Sequence, residues 1–317
     1  MKLRQFVSLA ALALVAATAT QAQERITYKS AKSGTSYYQM GVEIAEAVKA
    51  GTDGGMIVTI EESQGSTQNV MEVRARGGDY VFTTPPALVG AAQKASGPFD
   101  GKGDPAFDEI RALFPIPSLT MHFVMSNDSG VTDFAGMEGK TILLGSGSFG
   151  ATEGAKYLGL FGLEGKVTLA DAELSNAVAA LKNGQIDGFV TAGSFPAPNV
   201  IEAAASMGVT VLSMSDEQIA ETGRVKLVIP AGTYAGQESD IVTTSLPVAA
   251  FTTTKMSDDA AYQLTKTFWE EREKMAESAP WWAGVDAGLM ENVNVTFHPG
   301  AVRYYEEAGI ALSDAQK

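Results

Sequence analysis

The 317-residue chain has no cysteine and only two histidines, His122 and His298. Without thiols there are no disulfides, no thiolate metal ligands and no lipidated cysteine behind an export signal. Two isolated histidines leave no histidine-based metal cluster. A hydrolytic triad would have to use one of them, and neither carries a motif; the G-x-S-x-G elbow of a hydrolase does not occur. Positive charge is also scarce. Lys and Arg number 23 against 37 Asp and Glu, for a formal charge of −14, so nucleic acid and anionic membrane are poor partners. Asp100, Asp104 and Asp108 sit in a Gly-rich loop that superficially suggests calcium, but the bidentate Glu of a calcium loop is missing at the right spacing. No metal and no cofactor is expected.

Long apolar runs are confined to the first residues. Lys2 and Arg4 precede the apolar stretch Phe6 to Ala19, which is too short to span a bilayer, and Thr20-Gln21-Ala22 offers a small-residue cleavage site. Residues 1–22 read as a secretory signal peptide. An exported, cysteine-free, unanchored chain is expected in a bacterial periplasm. The rest of the chain is long enough for two lobes with proper cores, and the composition, 45% hydrophobic and 19% charged, is that of a globular protein.

Strand-like and helix-like pieces alternate along the chain, which argues for parallel α/β sheets. One series runs from Ile26-Thr27-Tyr28 to Tyr80-Val81-Phe82. A second runs from His122 to about Met214. The tail, with helices over 262–275 and through Tyr304 and Tyr305, has no third sheet to join and is expected to pack back on the first lobe. The expected fold is a two-lobe α/β binding protein with a ligand cleft. Lobe I comprises 23–122 plus 250–317, and lobe II comprises 123–249.

Two stretches are built alike, each a strand, then Gly, Ser and Thr, then a helix start. Lys29 to Tyr38 contains Gly34, Thr35, Ser36 and Tyr37; Gly145 to Glu153 contains Ser146, Ser148, Phe149 and Thr152. A helix N-terminus carries unpaired N–H groups and a partial positive charge. Glycine lets backbone approach a ligand, and hydroxyls add donors without bulk. Two such ends facing each other would clamp a small anion. Loops 63–67, 83–86 and 191–195 share the composition and also follow strands, where open α/β sheets bind ligands. The candidate site is therefore Gly34, Thr35, Ser36, Tyr37, Ser66, Thr83, Ser146, Ser148, Phe149, Thr152, Gly193 and Phe195, with Phe149 and Phe195 packing on the ligand's aliphatic part.

Other readings compete. Gly145-x-Gly147-x-x-Gly150 with Asp171 downstream matches a dinucleotide fingerprint, but a lone match is weak and the loop carries hydroxyls that a dinucleotide turn does not need. Ser or Thr at a helix start is also an ordinary cap. His122 points either into the cleft, as an enzyme would use it, or into the core as a satisfied histidine. His298, before Pro-Gly, reads as a helix-start residue that bonds locally. Trp281 and Trp282 read as lobe-packing residues.

Taken in order, several motifs resemble the TAXI family of TRAP transporter solute-binding proteins. Gly34-Thr35-Ser36-Tyr37-Tyr38 is similar to its G-[GST]-x-Y-Y motif, and Gly65-Ser66-x-x-Asn69 to its G-S-x-x-N segment. Asp128-Ser129-Gly130-Val131 with Met137-Glu138-Gly139-Lys140 resembles its D-S-G-I…L-K-G-K stretch. His298-Pro299-Gly300-Ala301-x-Arg303-Tyr304-Tyr305-x-Glu307-x-Gly309 is the most specific match. The resemblance implies two lobes closing on a small organic anion, often glutamate or a related dicarboxylate. It also implies a monomer that docks, loaded, on the membrane subunits of a TRAP transporter. Thr83-Thr84-Pro85-Pro86 and the Phe149-Gly150 pair depart from the family pattern. A periplasmic enzyme using His122, or a ligand-sensing receptor module, are the alternatives.

Overall fold

The computed structural model describes residues 23–317, so the export signal read over 1–22 lies outside the described residues. The first elements are β1 (Glu24–Lys29), α1 (Ser36–Gly51), β2 (Met56–Glu61), α2 (Ser66–Glu72), β3 (Tyr80–Thr84) and α3 (Pro86–Gln93). A long strand, β4 (Ile110–Ser126), precedes β5 (Thr141–Leu143), α4 (Phe149–Leu160), β6 (Thr168–Ala170), α5 (Ala177–Lys182) and β7 (Gly188–Gly193). Then come α6 (Pro198–Met207), β8 (Val209–Val211), α7 (Asp216–Thr222) and β9 (Val225–Ile229). A second long strand, β10 (Ile241–Thr253), leads to α8 (Asp258–Ser278) and α9 (Pro299–Glu307).

The strands lie in the order β2-β1-β3-β10-β4-β7-β5-β6, with β8 also on β4 and β9 on β10. β1 is parallel to β2 and β3, and β5 is parallel to β6 and β7. β4 and β10 are antiparallel to each other and to their outer neighbours. The curled sheet thus holds two parallel α/β runs stitched together by two long strands. Parallel strands need helices on both faces, which is why β3 is buried along its whole length.

The stitch has a defect where the runs meet. Leu246 opposes Leu119 and Val248 opposes Ile116, so Pro117 and Ser118 together stand against Pro247. Proline brings no N–H to a ladder and collects at such bulges. The carbonyls left without ladder partners find others. Tyr37 donates its hydroxyl to the Pro117 carbonyl at 2.9 Å, and Ser194 donates to the Ser118 carbonyl at 2.8 Å. One donor comes from each side of the junction.

The tail closes over the β1–β3 run. Phe114 of β4 stacks on Phe268 of α8 at 3.9 Å, and the Tyr305 hydroxyl donates to the Leu113 carbonyl at 2.6 Å. Gly300 lets α9 meet α8, since a Cβ there would lie 2.1 Å from the Asp258 carbonyl oxygen. Trp281 and Trp282 both donate their indole N–H to Oε2 of Glu43 on α1. The His298-Pro299-Gly300 motif therefore serves packing. His298 caps α9 by accepting from Gly300 N, and bonds the Met256 carbonyl with its other ring nitrogen.

Where the sequence suggests a strand starting at His122, β4 begins at Ile110. Pro115 and Pro117 hide that half, because proline normally argues against a central strand.

Candidate functional site

Three helices start at one cavity of about 50 Å³ between the two parallel runs. From the β1–β3 side come the starts of α1 and α2; from the β5–β7 side comes the start of α4. Their approach is close. A Cβ on Gly65, just before α2, would lie 3.4 Å from the Phe149 nitrogen that opens α4. Gly65 has φ +121°, a conformation that favours glycine. A Cβ on Gly147 would lie 3.7 Å from Gln64, and one on Gly193 would lie 2.5 Å from the Ser36 hydroxyl oxygen.

The cavity is lined by Thr35, Tyr37, Ser66, Thr83, Ser146, Ser148 and Phe149 among the residues singled out in the sequence. Their polar groups are not equally free. The Thr35 hydroxyl donates to the Lys32 carbonyl at 2.7 Å and accepts from Tyr38 N, capping α1. The Tyr37 hydroxyl is spent on Pro117. Thr83 is bonded to the Tyr28 hydroxyl at 2.7 Å, and Ser146 donates to Asp171 at 2.8 Å. That last bond gives Asp171 a partner within its own half, in place of the ribose that a dinucleotide fingerprint would offer it.

Two lining hydroxyls, Ser66 and Ser148, donate to no described residue, and in the Thr83–Tyr28 pair either oxygen can be the donor. Ser148 accepts from Ala151 N as the cap of α4, which leaves its own O–H free. Ser66 is 9% exposed, lines the cavity and has no hydrogen-bond partner among the described residues. The N–H groups of Tyr37, Phe149 and Gly150 lie in first helical turns, ahead of any carbonyl four residues back that could receive them. Both caps take the third N–H, and these three keep no partner among the described residues.

The remaining candidates do not line the cavity. Gly34 is an exposed turn residue with φ +83°, so its contribution is to the turn into α1. Ser36 is buried with its hydroxyl unpartnered, packed against Gly193 at the end of β7. Thr152 is exposed, because the buried stripe of α4 runs through Phe149, Gly150, Glu153, Gly154, Tyr157 and Leu158 and leaves it outside. Phe195 lines a separate cavity with Trp281 and Leu227, because the chain turns away from the cleft after Gly193.

Sequence reasoning missed Lys32, Gln64, Leu119, Leu174, Ala192 and Val248, all of which line the cavity. Lys32 and Gln64 sit inside loops already singled out. Leu119 and Val248 flank the proline bulge and look like ordinary core residues. Among the described residues, Lys32 is the sole one with a formal charge that lines the cavity. Its ammonium lies 2.9 Å from Glu173, a residue of the opposite half, which also accepts from Gln64 at 3.4 Å. The Lys32 hydrogen bond, then Gln64, holds the Glu173 carboxyl below the usual carboxylate range.

His122 is fully buried and does not line the cleft. One ring nitrogen meets the Thr120 carbonyl at 3.2 Å and the other the Tyr234 hydroxyl at 2.8 Å; Tyr234 in turn accepts from Ala197 N. Burial pushes its pKa down to about 4, so it stays neutral. Of its two sequence readings, the geometry matches the satisfied core histidine.

Solved structures with this architecture define the class. The periplasmic binding protein BugD superposes with a TM-score of 0.55 at 11% identity, over 91% of this chain and 98% of its own. A periplasmic transporter structure gives 0.54 at 12% identity over 92% and 99%. MatC from Rhodopseudomonas palustris, solved with bound malate, gives 0.55 at 13% identity over 85% and 96%. The fold is that of the periplasmic binding proteins. A family model matches residues 29–309, and the chain belongs to the NMT1-like family.

Proposed function

We propose that this chain is an extracytoplasmic solute-binding protein that closes on a small organic anion and performs no catalysis. The observation that carries the reading is the pair of opposed helix starts, α1 and α4, which bring free N–H groups and the Ser148 hydroxyl to one cavity, where the Ser66 hydroxyl of α2 joins them. Such ends favour negative charge without a formal counter-charge. Hydrogen bonds to a charged group contribute about 1.5–3 kcal/mol each, so three or four support a micromolar complex after ordering and desolvation are subtracted.

The TAXI-like motifs support a narrower reading, in which the loaded protein hands its solute to the membrane subunits of a TRAP-type transporter. The export-like residues 1–22 support a periplasmic location, and no helix among the described residues is long and apolar enough to cross a membrane. The lobes in this reading are 23–122 with 250–317, and 123–249. A ligand touching both favours the closed form by its differential affinity, and the closed form is what a transporter recognises.

Native mass spectrometry of protein purified without denaturation tests this. A bound acid of unaltered mass, released when the protein is unfolded, is expected. A protein that carries no acid and is not stabilised by any acid in a thermal-shift panel would overturn the reading.

A further inference from the structure

The two halves of the cleft carry the same sign of charge. On the basis that the chain is a solute-binding protein with lobes 23–122 plus 250–317 and 123–249, the first lobe has 15 Lys and Arg against 23 Asp and Glu. The second has 6 against 14, so each lobe has a formal charge of −8. Closing such lobes brings like charge toward like charge. Among the described residues a single ion pair opposes this across the junction, Lys32 with Glu173 at 2.9 Å. We propose that Glu173, Lys32 and Gln64 form a clasp at the edge of the cavity that biases the cleft toward its closed form before any solute bridges it.

The clasp is built from both sides. Each Glu173 oxygen takes one donor from the facing half: Oε2 meets the Lys32 ammonium, and Oε1 accepts from the Gln64 amide at 3.4 Å. Neither Lys32 nor Gln64 has another side-chain partner among the described residues. All three are rooted at helix starts. The Lys32 carbonyl accepts from the hydroxyl and the N–H of Thr35, the cap of α1, at 2.7 and 3.2 Å. The Gln64 N–H donates to Gln68 of α2 at 2.7 Å. On the other side Ser146 donates its hydroxyl to Asp171 and its N–H to the Ala172 carbonyl. Leu174 packs so closely on Gly145 that a Cβ there would lie 2.8 Å from the Leu174 Cβ. Glu173 sits between these anchors, so a pull on its carboxylate reaches the loop that opens α4. The clasp thereby joins the starts of α1, α2 and α4.

Its strength is limited by water. The Glu173 side chain is 47% exposed and that of Lys32 21%, so the pair acts as a screened surface pair. Such a pair shifts a closed-to-open ratio by a few-fold and does not lock it. A bias of that size raises the closed fraction, and the apparent affinity with it, while leaving the cleft able to reopen.

Spin labels test the clasp, because a chain without cysteine takes them only where cysteines are introduced. Exposed Ala50 of α1 and Ala179 of α5 place one label on each lobe. Pulsed dipolar spectroscopy is then run on protein freed of bound solute by unfolding and refolding. The labelled parent is expected to show a populated short-distance form. Glu173→Lys sets like charges together and should lower the short-to-long ratio about threefold to tenfold. It also makes its lobe less negative, so overall repulsion alone would move the ratio the other way. Lys32→Glu combined with Glu173→Lys reverses the pair and should restore the ratio to within about twofold. Gln64 serves either way round, since its amide both donates and accepts. Glu202→Lys, at an exposed acid of the same lobe, makes the same change in charge and should not lower the ratio. The clasp is overturned by a parent with no short-distance form, by an unchanged ratio in Glu173→Lys, by no recovery in the reversed pair, or by an equal fall in Glu202→Lys. Absence of a bound acid in native mass spectrometry removes the solute-binding reading instead, whatever the ratio does, so the two fail separately.

Discussion

The starts of α1 and α4 read almost identically in sequence, yet they divide the work. At α1 the side chains hold the protein together: Thr35 caps the helix, Tyr37 ties it to the proline bulge, and Ser36 packs on Gly193. Among the residues there that line the cavity, Thr35 and Tyr37, only backbone N–H remains for a ligand. At α4 the cap serine keeps its proton, and Phe149 adds an apolar wall. The difference teaches that a hydroxyl near a cleft is a binding group only when nothing in the protein has already taken its proton. Junction residues such as His122 stand at the engaged extreme, and Ser66 at the free one.

The largest test concerns the engaged extreme. A histidine held neutral to about pH 4 resists a proton that the unfolded chain accepts near its ordinary value of 6.5. Its contribution to stability is complete above pH 6.5 and is lost as pH falls toward 4, by about 3 kcal/mol. Urea unfolding at pH 7.5 and 4.5 should show this loss, and His122→Gln should flatten it. An equal loss in the variant would mean that His122 is not sequestered.

Gly193→Val comes next. Its new side chain would meet Ser36 across the cleft, so the halves should fail to close. Affinity for the solute is expected to fall about a hundredfold, or about 2.7 kcal/mol. Normal affinity in this variant would show that Ser36 and Gly193 separate before binding.

Ser66→Ala removes an open hydroxyl and should weaken binding about tenfold, or about 1.4 kcal/mol, with the unfolding midpoint unmoved. The smallest effect belongs to Thr35→Val. Losing an engaged cap should cost about 1 kcal/mol of stability while affinity stays within about twofold. If Thr35→Val weakens binding as much as Ser66→Ala does, the distinction between engaged and free hydroxyls collapses.

Much of the fold was legible because α/β alternation leaves a strong trace: a short apolar strand, a Gly/Ser/Thr loop and a capped helix, repeated. His298 was readable as a cap for the same local reason. The first half of β4, with Pro115 and Pro117, was not, since proline signals a break and only pairing across the sheet makes a bulge of it. Phe195 and Thr152 illustrate the limit at the site. Each follows a loop that reaches the cleft, but one turns behind the junction and the other falls off the buried stripe of its helix.

Local chemistry, written along the chain, determined that Gly-rich turns end strands and open helices, and that no thiol and only two histidines are there to build with. Tertiary structure decided which hydroxyls are spent and which remain, and it brought Glu173 to Lys32 from the opposite half. The physical reason is that helix propensity and capping act within a turn or two of backbone. Hydrogen-bond satisfaction and charge pairing at the cleft depend on groups that meet only when the two halves are folded against each other.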